Sequence, residues 1–129
     1  MKISINYLGA ELIRTLESYG EAIAEGVSED VEVAAQVGMN SLRSRSPKRT
    51  GSYRKGWRKR RYVDDKGRSR SILLYNATDY QLTHLLEHGH QMPNGGRYAG
   101  EPHIAPAERD AEQTLLRRVT RTIEEAGEK

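Results

Sequence analysis

The sequence predicts an α+β fold in which a long N-terminal helix and a C-terminal helix pack on a small antiparallel sheet with a projecting basic hairpin. Three observations lead there. Apolar residues recur at helical spacing in one segment near the start and another near the end. Between them, two runs rich in strand-forming residues flank Asp64-Asp65-Lys66-Gly67, a good hairpin loop. Glycines and prolines (Gly9, Pro47, Gly51, Gly89) fall between the periodic segments.

In order, Ile3, Ile5 and Tyr7 alternate on one face of a short strand that Gly9 breaks. From Ala10 the spacing becomes helical through Leu12, Leu16, Tyr19, Ile23, Val27, Val31, Ala34 and Leu42. Read as one helix to about Arg43, this would be roughly 50 Å long. Gly20, Gly26 and Gly38 are candidate kinks, and Ser28-Glu29-Asp30 is an alternative start for a second helix. Pro47 ends the helix, because a proline pushes the residue before it out of the α region. Thr50-Gly51 turns the chain into a strand from Tyr53 to Val63, and Ser69 to Asn76 returns through Ile72, Leu73, Leu74 and Tyr75. Asp79 caps a short helix carrying Tyr80, Leu82, Leu85 and Leu86, which stops at Gly89. Residues 90–103 read as a loop. Pro106 suits the first turn of a last helix whose buried stripe is Leu115, Leu116, Val119 and Ile123.

The 129 residues fit one domain, 1–129, with the basic hairpin at about 53–76. With no cysteine there is neither a disulfide framework nor a thiolate metal site. The start lacks the apolar run of a signal peptide and no stretch is apolar enough to span a bilayer, so a soluble protein with no membrane partner is expected. Leu, Ile and Val total 24 residues and Phe is absent, which predicts a small core. Partner surfaces are expected to supply part of the stability, which favours an assembly component over a free-standing enzyme.

Charge is segregated. Residues 1–42 carry two basic and seven acidic side chains, 43–70 thirteen and two, and 71–129 six and nine, so the net +3 hides regional values of −5, +11 and −3. Arg54, Lys55, Arg58, Lys59, Arg60 and Arg61 crowd the first hairpin strand, interleaved with Tyr53, Trp57 and Tyr62. Alternation puts Lys59 and Arg61 on the face of Trp57, and Arg58 and Arg60 on the other. Charge on both faces of a covered strand is costly, hence the expected projection. Three readings stay open: a solvated arm partly paired with the acidic N-terminal helix, contact with an acidic partner ring, or non-specific contact with DNA phosphate.

His84 and His88 share a helical face, with His90 just beyond. The zincin arrangement needs a glutamate directly after the first histidine, and Leu85 stands there. No metal and no cofactor are expected, and surface histidines at a helix end are the better account. Glu87 has no second group placed beside it for general-base chemistry. No serine or cysteine nucleophile can be nominated, and Asn94-Gly95-Gly96-Arg97 lacks the lysine and spacing of a phosphate-binding loop.

Three motifs carry a family resemblance. Ser46-Pro47-Lys48-Arg49-Thr50-Gly51-Ser52-Tyr53-Arg54 follows the long helix, with Tyr53 where the family has an aliphatic residue. Tyr80, Leu86, Glu87 and Gly89 form a Tyr–aliphatic–Glu-x-Gly pattern. Glu101-Pro102-His103-Ile104-Ala105-Pro106-Ala107 opens the last helix, with His103 where the family has an aromatic. In this order they resemble the neck or minor tail-component family of long-tailed double-stranded DNA phages, named for the tenth gene product of a lambdoid coliphage. The resemblance implies structural roles for Pro47, Thr50, Gly51, Tyr80, Glu87, Gly89, Pro102 and Pro106, that of Glu87 being a structural carboxylate that either pairs with an arginine or caps backbone donors.

It further implies a non-enzymatic protein of head–tail joining or tail completion, located in the virion and in the host cytoplasm during assembly. Its implied partners are the head-closure and tail-terminator rings and copies of itself, arranged around the DNA channel. Two other functions are weighed beside it. One is a nucleic-acid-binding module using residues 43–70. The other is a small metal-dependent hydrolase built on His84, His88 and Glu87.

Overall fold

The small apolar inventory is concentrated where two helices and one sheet face meet. The computed structural model describes residues 2–4, 20–48 and 51–127. Along the chain these form β1 (Lys2–Ser4), α1 (Glu21–Arg45), a helical turn α2 (Ser52–Lys55), β2 (Trp57–Val63) and β3 (Ser69–Asn76). A 3-10 turn at Tyr80–Leu82 leads into α3 (Thr83–His88), followed by β4 (His90–Gln91), β5 (Arg97–Tyr98) and α4 (Ile104–Gly127). The architecture is α+β: two long helices and a three-stranded antiparallel sheet of order β1-β3-β2, with β4 and β5 forming a separate ribbon.

The first long helix differs from its expected extent. α1 begins at Glu21, behind Gly20, whose φ of 118° is a backbone conformation that suits glycine. At 25 residues it is about 37 Å long. The expected helical stretch 10–19, the strand residues 5–7, and Thr50 lie outside the described residues. Gly26 and Gly38 do not break α1; they are where α4 comes close. A Cβ on Gly26 would stand 2.6 Å from Cγ2 of Thr122, and one on Gly38 would stand 3.1 Å from Cδ1 of Leu74 and 3.4 Å from Cβ of Ala111. Ser28-Glu29-Asp30 starts no second helix. Asp30 is buried, accepting from Nε of Arg118 at 3.1 Å and from Oγ1 of Thr122 at 2.6 Å. α1 ends at Arg45 because Ser46, ahead of Pro47, is extended at ψ 141°.

Ala24, Val27, Val31, Ala34, Ala35, Met39 and Leu42 of α1 face Ala107, Ala111, Leu115 and Val119 of α4 and Ile72 and Leu74 of β3. Alanines and Gly38 at the crossing let the helices approach closely, so a chain with few large apolar residues still closes its core. The last helix buries Leu115 and Val119 of the expected stripe, whereas Leu116 and Ile123 are exposed at 53% and 41%. Ala107, Ala111 and Thr114 occupy that face instead, because the stripe follows the alanine line onto α1. In α3 and the turn before it, only Leu86 packs on the core, and Tyr80, Leu82 and Leu85 are exposed.

The first hairpin strand starts later than expected. Ser52–Lys55 coil into a helical turn after Gly51, which is left-handed at φ 83°, so Arg54 and Lys55 are not strand residues. The return strand runs Ser69–Asn76 as read from the sequence. Asp64 closes the tip by accepting the backbone N–H groups of Lys66 and Arg68 at 2.9 Å each and Nε of Arg68 at 2.6 Å. Because Ile72 and Leu74 need cover, β3 docks on α1 and carries the hairpin with it. Arg61 Nε meets Glu32 of α1 at 2.6 Å, Ser69 N–H donates to Oγ of Ser28 at 2.7 Å, and Lys66 and Arg68 at the tip pair with Glu21. The expected projection is thus confined to the outer face and free side of β2.

The tight helix crossing predicts sensitivity to added volume. Ala111→Leu should destabilise the protein by about 1–3 kcal/mol, seen as a lower thermal midpoint. An unchanged midpoint would contradict the close approach at Gly38.

Candidate functional site

The three motif segments, far apart in sequence, converge on one buried polar cluster. Trp57, at 0% exposure, donates its Nε1–H to Oγ of Ser46 at 2.8 Å, and that hydroxyl donates to the carbonyl of Leu42. Trp57 packs edge-on with Tyr53 and His103 at ring separations of 5.6 and 6.3 Å. Asn76, at the end of β3, donates Nδ2–H to the Tyr53 carbonyl at 2.7 Å and accepts from the Asp79 N–H at 2.8 Å. Asp79 makes no side-chain cap on the turn it precedes; it accepts the hydroxyls of Ser52 and Thr78 instead.

Glu87 caps the last helix. Its Oε1 accepts the backbone N–H groups of His103 and Ile104 at 2.7 Å each, and Oε2 accepts that of Ala105 at 3.1 Å. These donors at a helix start have no partners within the helix, and a carboxylate there also favours the helix dipole. Of the two structural roles open to Glu87, the structure shows the capping one. Burial acts to raise its pKa, but the donors from Ile104, His103 and Ala105 outweigh burial and hold the carboxyl below the usual range.

His103 is fully buried, and Nδ1 lies 2.7 Å from the Glu101 carbonyl and 3.0 Å from Oε1 of Glu87. A carbonyl only accepts, so Nδ1 donates, and Nε2 is hydrogen-bonded to the Tyr53 hydroxyl at 2.6 Å. Burial, reinforced by the carboxylates of Glu87 and Asp79, pushes the Tyr53 phenol far above its ordinary value, so it stays a donor. Gly89 of the Glu-x-Gly pattern is left-handed at φ 83°, where the chain passes against the backbone of Tyr98 and Ala99. The Glu101 N–H donates to the Leu86 carbonyl at 2.8 Å, fastening the base of the β4–β5 ribbon.

The basic residues separate into two groups. Arg54 is half-buried and donates to the carbonyls of Ser44 and Ser46 at 3.3 and 2.7 Å, finishing α1, and Arg61 is held by Glu32. Lys55, Arg58, Lys59 and Arg60 are exposed, and none meets a carboxylate among the described residues. Arg58 folds back onto the carbonyls of Lys55 and Trp57 at 2.6 and 3.0 Å. Of the family-motif positions, Pro47 is buried, Gly51 starts α2, Pro106 lies in the first turn of α4, and Tyr80 and Pro102 are exposed.

His84 and His88 lie on the exposed side of α3 with rings 4.8 Å apart. Glu87 faces the core and is occupied by three backbone donors, so the trio proposed for a hydrolase is not assembled. Among the described residues no group of three or more metal-capable side chains forms.

Over residues 10–89 the chain matches the model of a family described as "Bacteriophage HK97-gp10, putative tail-component". The chain belongs to this family. The matched span contains the motif after α1 and the Glu-x-Gly motif, while the third, Glu101–Ala107, lies beyond it. No curated protein and no solved structure matches the chain. Membership gives it a structural role as a bacteriophage tail component of the virion. No helix among the described residues is long and apolar enough to cross a membrane.

Sequence reasoning had placed Glu87 but missed the Tyr53–Trp57–His103 cluster. The available signal was His103 standing at an aromatic position, which marks a buried ring rather than a surface imidazole.

The depressed carboxyl of Glu87 has a definite sign. The native state binds its proton more weakly than the unfolded chain, so its stabilisation is present above about pH 4.3 and is lost as pH falls through the lower native pKa. Glu87→Gln should lower stability at neutral pH and flatten the acid limb of the stability curve relative to wild type in denaturant titrations. Parallel curves for the two proteins would count against the cap.

Proposed function

We propose that this tail component acts at the head–tail joint, in the neck or in tail completion, as one protomer of a homo-oligomeric ring around the DNA channel. On this reading the 129 residues work as a single non-enzymatic domain, reach the virion from the host cytoplasm, and sit against the head-closure and tail-terminator rings. The observation that carries it, beside the family, is the free basic surface of β2. α1 pairs with Arg61, Lys66 and Arg68, while among the described residues Arg58, Lys59 and Arg60 of β2, with Lys55 just before it, meet no carboxylate and are left for an anionic neighbour. A small α+β domain with unpaired charge of one sign and a thin core gains stability when a partner binds its folded state.

The test is the solution mass of the purified protein alone and mixed with the neighbouring neck and tail proteins. A ring formed alone or on mixing is expected. A monomer that ignores those neighbours, yet binds duplex DNA with steep salt dependence, would support the nucleic-acid-binding module instead. The double substitution Arg58→Glu with Arg60→Glu should leave the thermal midpoint nearly unchanged, since both side chains are exposed, and should sharply reduce infectious titre. Normal titre would remove the basic face from the assembly reading.

A further inference from the structure

The free side of β2 offers more than charge. In the order β1-β3-β2 this strand pairs on one side only, and among the described residues no backbone segment hydrogen-bonds to its other side. Seven residues long, it pairs in register with β3 from Trp57↔Asn76 to Tyr62↔Ser71 before the ladder shifts at Val63. Lys59 is opposite Leu74 and so belongs to the face turned toward α1, whereas Arg58 and Arg60, opposite Tyr75 and Leu73, belong to the other. Cations therefore flank the bare backbone from both faces. Tyr62 and Val63, 45% and 50% exposed, add uncovered apolar surface at its end.

We propose that this edge takes up an extended, carboxylate-rich segment of a partner protein as an added fourth strand. The proposal rests on the structural role argued above and names the partner chemistry at that same surface. Main-chain hydrogen bonds supply affinity in strand addition, and side chains alternating on two faces supply selectivity. A strand with acidic residues at every second position presents carboxylates at the same repeat of about 6.8 Å as Arg58 and Arg60, and an acidic residue at an intervening position faces Lys59 on the other side. The β2 strand of a second copy is disfavoured, because arginine and lysine would stand opposite arginine and lysine. A DNA duplex is the lesser fit: lying against one face, it leaves Lys59 and the backbone donors and acceptors of the edge unused. Asp65 beyond the register shift repels an acidic strand and limits how far it can run.

The test uses the full chain and three labelled probes: a peptide of alternating Glu and Thr, one of alternating Lys and Thr, and a short DNA duplex. Anisotropy reads binding, and amide hydrogen exchange reads the β2 backbone. The Glu/Thr peptide should bind, weaken roughly tenfold or more between low and high salt, and slow exchange of β2 amides. Arg58→Glu with Arg60→Glu should cost at least about tenfold in that affinity and should transfer preference to the Lys/Thr peptide. No binding of the Glu/Thr peptide up to about 1 mM, binding without β2 protection, or preferential binding of the duplex would each overturn the inference. If the protein still forms rings with its neighbours in such a case, the structural role stands and only the strand addition falls.

Discussion

The carboxylate of Glu87 holds three backbone donors at the start of α4, and the rest of the buried cluster is built against the His103 that this seat holds. Capping fixes where the helix begins. It thereby sets His103 against Tyr53 and Trp57, and those two rings anchor the segment after α1 to the end of β3 through Ser46 and Asn76. A buried polar network of this kind stabilises only when all its members are satisfied, and here hydroxyl, indole, imidazole, amide and carboxylate each find a partner. The motif segments are thus spaced along the chain for a spatial reason: each brings one set of groups to the same corner.

The helix pair works by a different economy. Gly38, Ala34 and Ala35 against Ala107 and Ala111 give close approach instead of large side chains, and the buried Asp30–Arg118–Thr122 contacts fix how the helices sit along one another. The sheet contributes one apolar face through Ile72 and Leu74. Among the described residues, what remains for the outside is the basic side of β2, since the acidic residues of α1 pair with Arg61 and the hairpin tip and do not reach around the strand.

Much of this was legible in advance. The order of elements, the end of α1 before Pro47, the hairpin loop at Asp64–Gly67, the strand Ser69–Asn76 and the last helix follow from period, turn residues and proline rules. The start of the first strand was not, because Ser52–Lys55 fold as a helical turn to bring Tyr53 inward, a demand set by His103 fifty residues away. Leu116 and Ile123 were misplaced because alanines, weak in any hydrophobic pattern, occupy the face that packs. The projecting hairpin was read from charge on both faces of one strand. Burial of Ile72 and Leu74 docks β3 on α1, and Glu21, Ser28 and Glu32, whose partners cannot be read from spacing, then hold the hairpin beside that helix. Glu87 was recognisable as structural from its motif, but its three donors come from a helix start known only in the fold.

The most direct test of the central claim is hydrogen exchange at the amides of His103, Ile104 and Ala105 in the wild-type protein. Amides in the first turn of a helix have no acceptors within it and ordinarily exchange fast. If the Glu87 carboxylate holds them as described, their protection should approach that of the buried middle of α1. Exchange at the rates of an uncapped helix start would contradict the account.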